Sequence, residues 1–146
     1  MNGFSLIECI ATLLCIAIIG LIALSTNTMW LQKQRSQTFI AQLVHDLQFA
    51  RQQAILRNTL ISLCPTHNFI TCMDNNDWTQ GYLIYTQHDE RLIIRKQQTG
   101  TLTNSRTLVQ FAPDGFSHST NSTFIYTLGE IEHRVIINLQ GRIRVE

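Results

Sequence analysis

Apolar positions divide the chain into three stretches with different periods. From Phe4 to Leu31 the only formal charge is Glu8, and Cys9 to Leu24 is apolar apart from Thr12 and Gly20. About 20 apolar residues cross a bilayer as a helix, so Phe4–Leu31 is long enough to do so. The second stretch has a helical period. Phe39, Ile40, Leu43, Val44, Leu47, Ala50, Ala54 and Ile55 recur at spacings of three and four, which makes an amphipathic stripe. Gln42, Asp46, Gln48 and Arg51 fall between them, on the side expected to face water. No proline occurs before Pro65. A helix over Phe4–Arg57 would be roughly 80 Å long at 1.5 Å per residue.

The third stretch changes to short runs rich in β-branched and aromatic residues. Strands are predicted at Leu60–Cys64, Gly81–Thr86, Arg91–Lys96, Thr107–Phe111, Thr123–Leu128, Arg134–Leu139 and Arg142–Val145. Turn-forming residues separate them, among them Asp74 to Asp77, Gln87 to Glu90 and Pro113-Asp114-Gly115. Strands following one long helix indicate an α+β fold, the helix packed on an antiparallel sheet domain.

The 146 residues suffice for one modest core, and a formal net charge of +1 gives no strong overall field. A polyanionic partner would therefore have to be held by a local patch. Enzymatic chemistry finds little support. His45, His67, His88, His118 and His133 are scattered, with no neighbouring Ser or Cys in a nucleophile setting. Asp74 and Asp77 lack calcium-loop spacing, and no glycine-rich phosphate loop is present. No cofactor is implied, and a catalytic role is not expected.

Glu8 changes the reading of the apolar stretch. A carboxylate inside a membrane helix costs about 2.5 to 3.5 kcal/mol at its centre, so it calls for a partner. Gly3-Phe4-Ser5-Leu6-Ile7-Glu8 resembles the processing motif of type IV pilins and type II secretion pseudopilins. The resemblance implies that a prepilin peptidase cuts between Gly3 and Phe4 and methylates the new amine of Phe4. It also implies that Glu8 neutralises the amine of a neighbouring subunit during assembly. Residues 1–3 would then be a leader, 4–31 a membrane and fibre-core helix, and 32–58 its amphipathic continuation. Residues 59–146 would form a periplasmic β-rich domain that becomes surface-exposed in the pilus. One feature departs from the family: the leader Met1-Asn2-Gly3 has no Lys or Arg, while Lys33 and Arg35 flank the far side. Charge bias alone would favour the opposite topology.

Cys64 and Cys72 enclose a short polar loop, and a periplasmic location permits a disulfide there. A metal site at Cys64, His67 and Cys72 is the alternative, although it lacks a nearby fourth ligand. Cys9 and Cys15 are expected to be reduced, buried helix residues.

The closing segment RVIINLQGRIRVE reads as a hairpin with Gly141 in the turn. A three-residue loop, Leu139 to Gly141, sets Asn138 against Arg142, Ile137 against Ile143 and Ile136 against Arg144. Val135, Ile137, Ile143 and Val145 then share the inner face, while Arg134, Asn138, Arg142 and Arg144 share the outer one. A two-residue loop would place the arginines with Val135 and Ile137. Guanidinium forks suit phosphate oxygens, and Arg91, Arg95 and Lys96 on another strand would widen such a patch. Solvated arginines can equally protect a strand edge from unwanted pairing.

Asp77 to Tyr85 (DWTQGYLIY), Val109 to Gly115 (VQFAPDG) and the final GRIR together resemble the FimT/GspH group of minor pilins and pseudopilins. In the FimT branch a terminal G-R-x-R motif is implicated in DNA binding, and Gly141, Arg142 and Arg144 match it. The resemblance implies a DNA-binding minor pilin that takes up extracellular double-stranded DNA, weakly and without sequence preference, in natural transformation. The second possibility it implies is a minor pilin or pseudopilin that primes fibre assembly and binds only protein. Other major and minor pilins, the prepilin peptidase and the inner membrane are the remaining implied partners.

Overall fold

The computed structural model describes residues 6–96, 99–118 and 121–146, with the backbone alone for residues 19–28. The expected cleavage site at Gly3 and Phe4 lies outside the described residues. The chain forms two compact units, residues 1–34 and 35–146. One helix, α1, covers Leu6–Arg57, close to the predicted span. In the first unit its described apolar side chains are exposed, including Leu6, Ile7 and Leu13. Cys9 and Cys15 carry free thiols as expected, but they are exposed rather than buried. Among the described residues no helix is long and apolar enough to cross a membrane. The side chains of residues 19–28, in the middle of the apolar run, are not among them.

In the second unit α1 packs on two antiparallel four-stranded sheets. The strands are β1 (Ile61–Pro65), β2 (Gly81–Thr86), β3 (Arg91–Lys96), β4 (Thr101–Asn104), β5 (Val109–Phe111), β6 (Ser122–Leu128), β7 (Ile131–Ile137) and β8 (Ile143–Val145). The first sheet runs β3-β2-β1-β5 and the second β4-β6-β7-β8. This is the expected α+β architecture. β2 and β3 match their predicted bounds, whereas Thr107–Phe111 shortens to β5 and the strand predicted at Arg134 begins at Ile131. β4 was not predicted: Leu102 is its only large apolar residue, and its pairing with β6 is what makes it a strand.

The predicted stripe on α1 supplies the core. Ile40, Leu43, Leu47, Ala50 and Ala54 are buried against Leu63, Ile84, Phe111, Phe124 and Val135. Each large side chain taken from water contributes roughly 1.5 to 3 kcal/mol. Trp78, fully buried, stands edge-on to Phe124 at 5.0 Å between ring centres, and Phe39 stacks on Tyr126 at 4.4 Å. Ile55, read as part of the stripe, remains half exposed.

Two polar residues assigned to the watery side of α1 point inward instead. Asp46 is fully buried. Its carboxylate accepts bonds from Arg95 Nε and Nη2 (2.6 and 3.0 Å), the Tyr82 hydroxyl (2.8 Å) and Gln42 Nε2 (2.9 Å). Arg51 is half buried and reaches across to two loops. Both positions read as solvated because their partners are remote in sequence.

Cys64 and Cys72 form a disulfide with Cα atoms 5.5 Å apart. Both thiols are consumed, so the metal alternative is withdrawn.

Candidate nucleic-acid interface

The candidate surface lies on the β7–β8 hairpin. Alternation of apolar and polar residues on both sides of Gly141 predicts a three-residue loop, and the register agrees: Val135 pairs with Val145, Ile136 with Arg144 and Ile137 with Ile143. The loop closes through Gly141 N–H to the Asn138 carbonyl (2.9 Å). Asn138 N–H donates to the Arg142 carbonyl (3.1 Å), and Asn138 Oδ1 accepts from Arg142 N–H (2.8 Å). Asn138 therefore shapes the turn through its side-chain oxygen, while its Nδ2 has no partner among the described residues. Gly141 has φ +70° and is buried; a Cβ there would collide with the carbonyl of Gly115 and approach Arg51 Nε to 3.0 Å. Only glycine satisfies both the left-handed conformation and the close approach.

This register sets Arg134, Arg142 and Arg144 on one face with Ile136, as expected. Their states differ. Arg134 is held by Glu132 (Nε 2.8 Å, Nη2 2.8 Å), two residues away on the same strand face. Arg142 and Arg144 are exposed, and their side chains have no hydrogen-bond or ion-pair partner among the described residues. On the inner face Val135 and Ile137 are buried and Ile143 is half buried, but Val145 is half exposed.

The expected widening of the patch by Arg95 fails on charge. Its guanidinium forms the bidentate pair with buried Asp46, so its cation is already neutralised at short range. Hydrogen bonding to Asp46 raises the Arg95 pKa further. Burial opposes ionisation of Asp46, yet bonds from Arg95, Tyr82 and Gln42 outweigh it and hold the carboxyl below its ordinary 3.8. Burial and the Asp46 charge push the Tyr82 phenol well above 10.0. Lys96 is exposed on β3 with no partner among the described residues, but β3 is the outer strand of the other sheet.

Sequence reasoning missed a cationic wall on α1. Arg51 Nε donates to the Gly115 carbonyl (2.9 Å) and Nη2 to the Gln140 carbonyl (3.2 Å). The side chain thereby ties the helix to the Pro113–Gly115 turn and to the hairpin turn. Beside it runs a groove of about 380 Å³, lined by Gln48, Arg51, Gln52 and Ile55 from α1 and by Arg142 and Ile143 from the hairpin. Gln48, Arg51, Gln52 and Ile55 are spaced as one helix face, which was the available signal. Nothing in the sequence showed that this face meets GRIR.

One histidine meets a serine remote in sequence: Ser36 Oγ lies 3.3 Å from His133 Nε2. Ser36 is fully buried and His133 has no second partner among the described residues. The contact joins α1 to β7 and offers no accessible nucleophile. Glu8 sits in the first turn of α1.

Comparison with solved structures finds the same fold in the type IV minor pilin FimU of Pseudomonas aeruginosa. One crystal form has a TM-score of 0.62 at 22% identity, covering 75% of this chain and 91% of that one. A second has a TM-score of 0.63 at 20% identity, covering 78% and 90%. Among curated proteins none matches. Residues 40–141 match the family described as type II transport protein GspH, a span that holds β1 to β7, the helix face packed on them and Gly141, and ends before Arg142 and β8. The chain therefore belongs to the GspH family of type II transport proteins and shares its fold with a type IV minor pilin.

Proposed function

We propose that this chain is a minor pilin that binds extracellular double-stranded DNA through Arg142 and Arg144, for uptake in natural transformation. The supporting observation is the contrast among its arginines. Among the described residues Arg57, Arg95 and Arg134 are each paired with a carboxylate, whereas Arg142 and Arg144, like Arg35 and Arg91, are exposed without one. Arg142 and Arg144 are distinguished by standing two apart on one strand face beyond a glycine turn. Two such guanidinium groups engage phosphate oxygens, not base edges, so binding is sequence-independent. With about two phosphates neutralised, log K falls with log salt at a slope of about −1.8. A single subunit binds in the micromolar range or weaker, and several copies in a fibre add avidity.

In this reading Phe4–Leu31 anchors the protein in the inner membrane before assembly, with the strand domain in the periplasm. Prepilin peptidase cuts between Gly3 and Phe4 and methylates Phe4, and Glu8 serves assembly with other pilins. A purely structural minor pilin or pseudopilin is the second reading, favoured by the exposed Leu6, Ile7, Leu13 and Leu14 of the first unit. Titration with short duplex DNA, followed by backbone NMR shifts, separates the two. Shifts centred on the hairpin, fading with salt and lost in a folded Arg142→Gln/Arg144→Gln variant, support DNA capture. Absence of shifts at low salt and high DNA concentration leaves the assembly role alone.

A further inference from the structure

The groove between α1 and the β7–β8 turn has a charge state unlike its surroundings. A groove near the disulfide is lined by both Arg91 and Asp89, and another, beside the end of α1, by both Arg57 and Glu90. The groove at the hairpin is lined by two arginines, two glutamines and no carboxylate. Arg51 is pinned there by two backbone carbonyls, which are neutral acceptors. It has thus lost rotamer freedom and kept its full charge, unlike Arg95, whose order comes from an anion. Its Nη1 has no partner among the described residues. An arginine ordered in advance spends little entropy on binding a ligand. Ile55 and Ile143 form apolar walls that reduce screening inside the groove.

The field along the hairpin points the same way. Glu130 and Glu146 lie at the end of the β7–β8 pair away from the turn, beside the mutually neutralised Glu132–Arg134 pair, and Arg142 lies at the turn. A polyanion seated on Arg144 is repelled along the strands and attracted past Arg142 toward Arg51.

We propose that this groove is a second phosphodiester-binding subsite, in which Arg51 Nη1 and the Arg142 guanidinium are the charged donors and the Gln48 and Gln52 amides the neutral ones. The proposal rests on the reading of Arg142 and Arg144 as a DNA-binding pair and extends that surface from the hairpin onto the helix. Truncating Arg51 would also undo the clamp, so the test leaves it in place. Gln48 and Gln52 are exposed and have no partner among the described residues, and Gln48→Glu/Gln52→Glu sets two carboxylates in the groove. The charge-matched control is Asn76→Asp/Gln80→Glu, in the exposed loop that joins β4 at the opposite edge of the second sheet.

Full-length protein in detergent is titrated into a labelled short duplex and followed by anisotropy, with thermal melts to check folding. The groove variant should bind roughly fivefold to twentyfold more weakly, with a salt slope shallower by about 0.9, while the control stays near wild type. Inorganic phosphate should shift the amide signals of Gln48, Gln52 and Gly141 in the wild type. Equal weakening in the control, or no phosphate shifts, overturns the groove. If Arg142→Gln/Arg144→Gln loses binding and Gln48→Glu/Gln52→Glu does not, the groove falls and the arginine pair stands. If the wild type binds no DNA, both fall.

Discussion

Replacing Arg95 with methionine removes the guanidinium from a carboxylate with 0% side-chain exposure and leaves His45 Nδ1, 3.4 Å from Asp46 Oδ1, as the nearest basic group. Removing one partner of a buried ion pair costs about 3 to 5 kcal/mol. Two features place this case at the lower end. Arg95 retains 40% exposure, so water already screens part of the attraction. The Tyr82 hydroxyl and the Gln42 amide also continue to donate to Asp46. We expect a loss of about 3 kcal/mol at neutral pH, read from urea unfolding followed by Trp78 fluorescence. The pH dependence has a definite sign. The folded state holds the Asp46 carboxyl below its ordinary 3.8, so its contribution is complete above that value and disappears as pH falls further. Asp46→Asn should therefore be destabilised at pH 7 and approach wild type only below pH 3.8. The double variant Asp46→Asn/Arg95→Met should recover part of the Arg95→Met loss, because no buried charge remains unpaired. A loss below about 1 kcal/mol for Arg95→Met, the range of exposed pairs, would refute the assignment of Asp46 and Arg95 as the polar link between helix and sheet.

Gly141→Ala should destabilise the second unit by about 1 to 3 kcal/mol, because alanine meets both the left-handed φ and the Gly115 carbonyl; chemical denaturation checks it, and the hairpin amide signals should move most. Removing the disulfide with Cys64→Ser/Cys72→Ser should cost about 2.5 kcal/mol in the chain-entropy model, measured as a lower Tm; the reducing agent alone should lower wild type equally. Trp78→Ala should cost about 3 to 5 kcal/mol, since the indole is fully buried and its N–H reaches the Arg106 carbonyl at 3.2 Å. Calorimetry would register it, and a cost below about 1 kcal/mol would contradict that packing.

Legibility in the sequence followed the range of each interaction. The helix, most strands and the hairpin register were readable because period and turn chemistry are local. Glycine at 141 with alternation on both sides left one loop length compatible with an apolar inner face. The pairing of Glu132 with Arg134 was not readable, because the predicted strand began at Arg134 and left Glu132 outside it; it occupies one arginine of the patch. Asp46 was not readable: an acid on the polar side of an amphipathic helix looks the same whether water or Arg95, 49 residues away, receives it. Arg51 was hidden for the same reason, its acceptors lying 64 and 89 residues further on. β4 was hidden because its side chains do not announce a strand and its neighbour β6 defines it.

The Arg51 clamp has a mechanical consequence. β8 is a three-residue edge strand, and a pull on Arg142 or Arg144 directed away from the sheet would open its ladder one rung at a time, the weakest way to load a β-pair. The first rung lies at the turn, where Arg51 holds the Gln140 carbonyl. Tension entering at the turn is shared between the Asn138–Arg142 bonds and that side chain, which leads it to α1. A pull on this corner would load the helix together with the seam, not the seam alone.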